Sequence, residues 1–317
     1  MIIQILILLS GLALIIFGAD FVVRGSSSIA RKAGVSEFVI GLTIVGMGTS
    51  APELVVSVLG ALKGNADIAV GNVVGSNIFN VFLILGATAM IMPMSITKSN
   101  IKRDIPINLA VTLLFIFLGM NKFIFRLGEN SISRIDGIIF LSIFVLYMII
   151  SFRHNEAPEE VEGEKTYSIP LASLMVAIGL TALIFGGNIF VDSATKSAKI
   201  LGVSDKFIAI IFLAGGTSLP EFATCVVAAL KKKGQLALGN IIGSNIFNIL
   251  LILGIASTIH PLSLNSMNLV DIGVLLLSSL VILASVYTGE KSKIDRADGF
   301  GFLLIEAGYL VYLFIYQ

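Results

Sequence analysis

Glu53 and Glu221 are the residues whose surroundings ask for chemistry. Each closes the same short motif, Gly48-Thr49-Ser50-Ala51-Pro52-Glu53 and Gly216-Thr217-Ser218-Leu219-Pro220-Glu221, and each motif lies inside a long apolar run. A carboxylate at the centre of a membrane span costs roughly 2.5 to 3.5 kcal/mol on insertion scales, so it is rarely kept without a use. In both copies Pro removes a backbone donor and the upstream Gly residues weaken the helix. A helix broken beside its own carboxylate frees carbonyls at a depth where they must face protein, water or an ion. Thr49 and Ser50 precede Glu53 by four and three residues, so their oxygens are expected to share one helical face; Thr217, Ser218 and Glu221 repeat the spacing. In the next apolar run Asn72, Ser76 and Asn80 step by four, as do Asn240, Ser244 and Asn248. All these side chains offer oxygen, the donor that hard cations such as Ca²⁺ and Na⁺ prefer, and carbonyls near Gly46, Thr49, Ala214 and Thr217 are placed to complete the shell. The pattern describes a cation site. His154 and His260 both lie outside the apolar runs, which argues against soft-metal coordination.

The elements that must position these groups are membrane spans. The chain has 317 residues, 56% hydrophobic and only 13% charged, against about a quarter charged in soluble domains. Its net charge of +1 says nothing about partners. No basic cluster with interleaved aromatics points to nucleic acid. The lone Cys225 excludes an internal disulfide framework and is read as a buried small residue. Met1 to Val23 lacks a basic start and a small-residue cleavage site, so it reads as a retained span. Ten apolar stretches long enough to cross a ~30 Å core can be marked, at 2–23, 37–62, 67–91, 104–120, 135–152, 168–191, 206–230, 235–257, 269–287 and 297–316. Asp136 and Asp298, in matching Arg-x-Asp-Gly contexts, read as caps at span starts.

The two halves are copies. One constant shift along the chain places Gly18 on Gly186, Glu53 on Glu221, Gly71 on Gly239 and Asn80 on Asn248 without a gap. GNVVGSNIFNVFLILG from Gly71 faces GNIIGSNIFNILLILG from Gly239, with 12 of 16 positions identical. Each half holds an odd number of spans, so the second enters the membrane from the opposite side, the inverted repeat of secondary transporters, with the ion site at the repeat interface. The expected fold is an all-α polytopic membrane protein, ten transmembrane helices in two inverted five-helix repeats, with broken helices at the site. Residues 1–152 form the first repeat, 153–167 an acidic cytoplasmic linker and 168–317 the second repeat. Of the 21 Lys and Arg residues, 14 fall in loops after odd-numbered spans, which places those loops in the cytoplasm and both termini outside.

Other polar positions are read more plainly. Asn77 and Asn245 are assigned to helix packing. Asp20, whose repeat partner is Asn188, is left open, and Glu306 has no polar stripe around it and no assigned role. Gly11, Gly18 and Gly25 recur every seven residues and are mirrored by Gly179, Gly186 and Ser193. Such a seam permits close helix approach, either as static packing or as a rail for sliding.

At the paired GTSxPE and GSNIFN stretches the chain resembles the sodium/calcium exchanger family, part of the cation/Ca²⁺ antiporter superfamily, and especially its compact prokaryotic members. The resemblance covers essentially the whole chain. It implies ions in a core formed by spans 2, 3, 7 and 8, with Glu53 and Glu221 binding both Ca²⁺ and Na⁺ and Thr49 and Thr217 contributing to the Ca²⁺ position. It further implies that Ser50, Ser76, Ser218 and Ser244 shape flanking Na⁺ positions and that Asn80 and Asn248 complete the centre. One departure matters: some relatives and the potassium-dependent branch carry Asp where this chain has Asn248. The large cytoplasmic Ca²⁺-sensing domain of the animal exchangers is also missing.

The expected function is secondary active antiport of Na⁺ against Ca²⁺ by alternating access, electrogenic and extruding Ca²⁺, at about three Na⁺ per Ca²⁺ by the resemblance. A Ca²⁺/H⁺ exchanger and a potassium-dependent Na⁺/Ca²⁺ exchanger are the alternatives. No enzyme activity is expected, since an intramembrane hydrolase would need a buried nucleophile with its base or a pair of Asp residues. A passive channel would conduct without a counter-ion. No cofactor is expected. The partners are Ca²⁺ and Na⁺ as substrates and the lipid bilayer of the cell membrane, without nucleic acid and with a monomer as the unit.

Overall fold

The computed structural model describes residues 2–125, 129–153, 166–200, 215–264, 267–287 and 292–316. Within them the chain is almost entirely helical. In chain order the helices are α1 (Ile2–Ala33), α2 (Glu37–Thr49), α3 (Ala51–Leu62), α4 (Ala66–Ile91), α5 (Ile105–Gly119), α6 (Asn121–Phe125), α7 (Arg134–Arg153), α8 (Ile169–Ile200), α9 (Leu219–Leu230), α10 (Gly234–Ile259), α11 (Leu269–Ser285) and α12 (Arg296–Tyr316). Among the described residues six helices, α1, α4, α7, α8, α10 and α12, are long and apolar enough to cross a membrane singly. A seventh crossing comes from α2 and α3 taken as one broken span bent by 49°. The acidic stretch 154–165, the Ala214 carbonyl and the first part of the expected span 206–230 lie outside the described residues.

Two helices overrun their apolar stretches. α1 continues past Val23 to Ala33 and α8 past Val191 to Ile200, each 32 residues and hence about 48 Å long at 1.5 Å per residue. Polar residues such as Arg24 and Ser26 do not interrupt a helix. α1 ends at Gly34, whose φ of +68° lies in the left-handed region that glycine adopts without strain.

These two long helices are packed on one another with their backbones almost touching. A Cβ on Gly18 would sit 2.7 Å from the Gly179 carbonyl, one on Gly11 would sit 3.0 Å from the Gly186 carbonyl, and one on Gly25 would sit 2.7 Å from the Ala172 carbonyl. The pairing descends along α8 as it ascends along α1, so the helices run antiparallel. The glycine seam therefore joins α1 to α8. Ser193 is buried but lies beyond the three close approaches.

Around this pair the halves of the chain interlock. Strand β1 (Met94–Ser95) pairs antiparallel with β4 (Lys293–Ile294), and β2 (Ser131–Ile132) with β3 (Leu262–Ser263), so each half contributes one strand to each ribbon. α7 packs on the end of α10 through Gly137, and α12 packs on the end of α4 through Gly299 and Gly86. α2 and α10 cross in the core, where Cβ atoms on Gly239 and Gly243 would strike the Phe38 and Leu42 backbones. Asp136 takes the backbone N–H of Ser133 at 2.7 Å and Asp298 that of Asp295 at 3.0 Å, so the two aspartates do sit in caps, but as third-residue partners of the capping residues Ser133 and Asp295.

Candidate functional site

Both motifs fold as the proline chemistry requires. Ser50 (φ −80°, ψ 9°) and Ser218 (φ −88°, ψ 6°) leave helical geometry, and α3 and α9 restart at once with Pro52 and Pro220 in their first turns. A proline is tolerated there because the first N–H groups of a helix have no intrahelical partner. Glu53 and Glu221 fall in the same first turns, where the positive end of the helix dipole favours a carboxylate. Each is 1% exposed, so bulk water reaches neither carboxyl group.

The halves hold each other's glutamates. Ser50 Oγ donates to Glu221 Oε1 at 2.8 Å and lies 3.0 Å from Ser244 Oγ. Symmetrically, Ser218 Oγ donates to Glu53 Oε1 at 3.0 Å and lies 3.2 Å from Ser76 Oγ, itself 3.4 Å from Glu53 Oε1. The spacing predicts that Ser50 and Glu53 share a face of one helix. Instead each serine serves the other half's carboxylate, because the chain leaves helical geometry at that serine.

The threonines sit on the same seam. Thr49 Oγ1 is 3.2 Å from Asn240 Oδ1 and 3.0 Å from the Val45 carbonyl, and Thr217 Oγ1 is 3.4 Å from Asn72 Oδ1. The Gly46 carbonyl accepts the Ser50 N–H at 3.0 Å and lies 3.5 Å from Thr49 Oγ1. Asn72 and Asn240 thus brace the site from outside the expected ligand set. Asn72 Nδ2 bonds Ser57 Oγ at 3.0 Å and the Glu53 carbonyl at 3.2 Å, and Asn240 Nδ2 bonds Cys225 Sγ at 3.2 Å. The signal for this second layer was in the chain all along: the shift that lays Glu53 on Glu221 also lays Ser57 on Cys225.

Asn80 and Asn248 open matched π-helical turns, Asn80–Leu85 and Asn248–Leu253, a feature frequent at functional sites. Their amide orientations are set from behind. Asn77 Nδ2 donates to the Asn245 carbonyl at 3.1 Å, which turns Asn77 Oδ1 to accept Asn248 Nδ2 at 2.8 Å; Asn80 Nδ2 bonds Asn245 Oδ1 at 3.0 Å. Each of Asn80 and Asn248 is left presenting its oxygen.

Among the described residues four oxygens in this layer accept no hydrogen bond: Glu53 Oε2, Glu221 Oε2, Asn80 Oδ1 and Asn248 Oδ1. Buried polar atoms are nearly always partnered, so four orphaned acceptors in matching places, with no orphaned amide donor beside them among the described residues, form a cluster that a positive charge would satisfy. The donor set is oxygen throughout, which fits a hard cation that strips off its water. Among the described residues no three His, Cys, Asp or Glu side chains cluster, so the shell rests on amide and hydroxyl oxygens around two carboxylates.

A cavity of about 400 Å³ opens on one side of the seam, with Thr217 in its wall. It lies between the start of α3 (Ala51, Pro52, Val55) and α8 (Ile184, Asn188, Asp192), with Gly216 and Thr217 among its walls.

Known proteins resemble this chain along nearly its whole length. The sodium/calcium exchanger protein family matches residues 3–153 and again 171–315. The sodium/calcium exchanger MaX1 of Methanosarcina acetivorans is 34% identical over 344 residues, covering 98% of each chain. A membrane protein of Methanocaldococcus jannaschii is 36% identical over 298 residues, covering 94% of this chain and 93% of its own. Among solved structures, the sodium-calcium exchanger NCX_Mj soaked with 2.5 mM Na⁺ and 10 mM Sr²⁺ superposes with a TM-score of 0.84 at 34% identity over 98% of each chain. With family matches in both halves and relatives alike end to end, this multi-pass membrane protein belongs to the sodium/calcium exchanger family.

Proposed function

We propose that this cation/Ca²⁺ antiporter exchanges Na⁺ for Ca²⁺ by alternating access, with Glu53 and Glu221 as the carboxylates both ions share. The observation that carries the reading is the set of four unpartnered buried oxygens at the seam of the halves. Thr49 and Thr217 complete the Ca²⁺ position with backbone carbonyls at Gly46 and Ala214. Ser50, Ser76, Ser218 and Ser244 shape flanking Na⁺ positions, and Asn80 and Asn248 close the centre.

The architecture we propose is ten spans, residues 1–152 and 168–317 forming inverted five-span repeats joined by a cytoplasmic linker at 153–167. Two separate family matches and the antiparallel packing of the repeat-related α1 and α8 support it. With Lys- and Arg-rich loops in the cytoplasm and both termini outside, the cavity between α3 and α8 is the extracellular approach to the site.

Coupling follows from charge. One Ca²⁺, or the Na⁺ ions that replace it, brings two buried carboxylates near neutrality. The empty site holds bare charges whose occlusion in low dielectric is costly, and this suppresses leak. At three Na⁺ per Ca²⁺ one net charge moves per cycle, worth about 2.3 kcal/mol per 100 mV, so inward Na⁺ drives Ca²⁺ out.

Purified protein in vesicles tests this. Ca²⁺ uptake at clamped pH is expected to follow an imposed outward Na⁺ gradient. It should accelerate when a potassium-diffusion potential makes the inside positive, because three Na⁺ leaving for one Ca²⁺ entering carry one net positive charge out. Uptake that follows a pH gradient without Na⁺ would make the protein a Ca²⁺/H⁺ exchanger. A requirement for K⁺ on the Na⁺-loaded side would place it with the potassium-dependent exchangers, and flux persisting without any counter-ion would make it a channel.

A further inference from the structure

The two faces of the α1–α8 pair are chemically unlike, although the repeat relates them. At one face α1 packs along α9, and Asp20 on α1 is bonded both to Lys231 at the C-terminus of α9 (2.5 Å) and to Arg24 one turn on (2.8 Å). Asp20 and Lys231 are each 28% exposed by side chain, so the contact is shielded from bulk water on most sides. At the other face the corresponding helices, α8 and α3, are held apart by the cavity of about 400 Å³. There the repeat puts Asn188 in the place of Asp20, Lys63 in that of Lys231 and Asp192 in that of Arg24. The lysine is kept, but the carboxylate facing it is not.

We infer that Asp20 and Lys231 form a one-sided latch that holds the α1–α9 face shut while the α3–α8 cavity stands open. Among the described residues the opposite face has no equivalent: closing it by the same geometry brings Asn188, an uncharged amide, to Lys63. Asp192 lies four residues farther along α8, about 6 Å by helical rise, where Arg24 stands on α1. The latch therefore biases the transporter toward the state with the cavity open, before any ion arrives. This rests on the alternating-access reading, to which it adds a preferred resting face and the residues that set it.

The test must not depend on ion binding. Spin labels at Leu59 of α3 and Phe185 of α8, both exposed and outside the cavity walls, report the width of that face by pulsed electron resonance. The measurement is made in sodium- and calcium-free buffer and in an E53Q/E221Q background, whose core carries no charge to resist closure. Relative to that background, Asp20→Asn is expected to raise the ratio of narrow to wide distances about fivefold, the scale of a partly shielded ion pair. Lys231→Met should do the same, and the double variant should shift no further than either single change, since one contact is lost in all three. Asn188→Asp should also raise the ratio, by giving Lys63 a partner. Unchanged distances in both single variants, or shifts that add in the double, would overturn the latch. A loss of narrow distances in Asp192→Asn as large as the gain in Asp20→Asn would show that the other face has a latch of its own, which refutes the bias. Failure of the exchange reading appears separately, in vesicle flux, and leaves these distances untouched.

Discussion

Replacing Glu221 by Gln is the sharpest test of the site, because the geometry says what each atom of the new side chain would do. The amide oxygen can keep the bond from Ser50 Oγ, which Glu221 Oε1 now accepts at 2.8 Å. The amide nitrogen then takes the place of Oε2, one of the four unpartnered oxygens, and turns a donor toward the proposed cation position. The side chain is 1% exposed, so water cannot repair the loss. Removing one partner of a buried charge pair costs about 3 to 5 kcal/mol, which corresponds to Ca²⁺ affinity weakened by two to nearly four orders of magnitude. The fold should survive, since the change relieves one of two like charges in the empty core. A ligand at 100 times its Kd stabilises a protein by about 2.7 kcal/mol, which is readily seen as a rise in Tm. The assay is therefore thermal unfolding in detergent with chelator and with Ca²⁺, beside Na⁺-driven Ca²⁺ uptake in vesicles. Glu221→Gln should melt at or above the parent without ions, show no rise with millimolar Ca²⁺ and transport none. A variant that keeps the Ca²⁺-induced rise and near-normal uptake would remove Glu221 from the site and the argument with it.

Four further outcomes are expected. Asn77→Leu deletes the oxygen that receives Asn248 Nδ2 at 2.8 Å; the Asn248 amide loses its fixed orientation, and Na⁺ and Ca²⁺ half-saturation should worsen about tenfold while Asn248→Asp, tested alongside, changes Na⁺ affinity or introduces K⁺ sensitivity. Identical ion curves for both variants would make this layer packing only. Gly18→Val places side-chain atoms where even a Cβ would lie 2.7 Å from the Gly179 carbonyl, so α1 and α8 must part; overpacking of this kind costs about 1 to 3 kcal/mol, and both Tm and turnover should fall, whereas an unchanged Tm would mean the helices are not clamped. Cys225→Ser restores the residue that the repeat places at Ser57 and keeps an acceptor for Asn240 Nδ2. It should transport like the parent, and loss of exchange would assign the thiol a role that its burial does not suggest.

Much of this protein was legible in order along the chain. A buried carboxylate costs too much in an apolar run to be incidental, and two that fall in register when one half is laid on the other announce paired sites. Glycines at intervals of seven foretold a close helix seam, and the Arg-x-Asp-Gly contexts foretold two caps, because caps and small-residue seams are local in sequence. Glu306, given no role from the sequence, proves to be buried with one oxygen unpartnered, since exposure depends on which helix packs against it.

What sequence could not decide is which residues pair across the two halves. That Ser50 bonds Glu221 rather than Glu53, that Asn77 orients Asn248, and that each ribbon takes one strand from each half all follow from packing between segments that lie far apart along the chain. The overrun of α1 to Ala33 and the π-helical turns at Asn80 and Asn248 escaped for a related reason: hydropathy marks where a segment prefers lipid, whereas hydrogen bonding decides where a helix stops or widens. The chain by itself determined which atoms were available to hold a cation. Only the tertiary structure decided which of them are left without a donor, because an oxygen's partners are chosen by its neighbours in space.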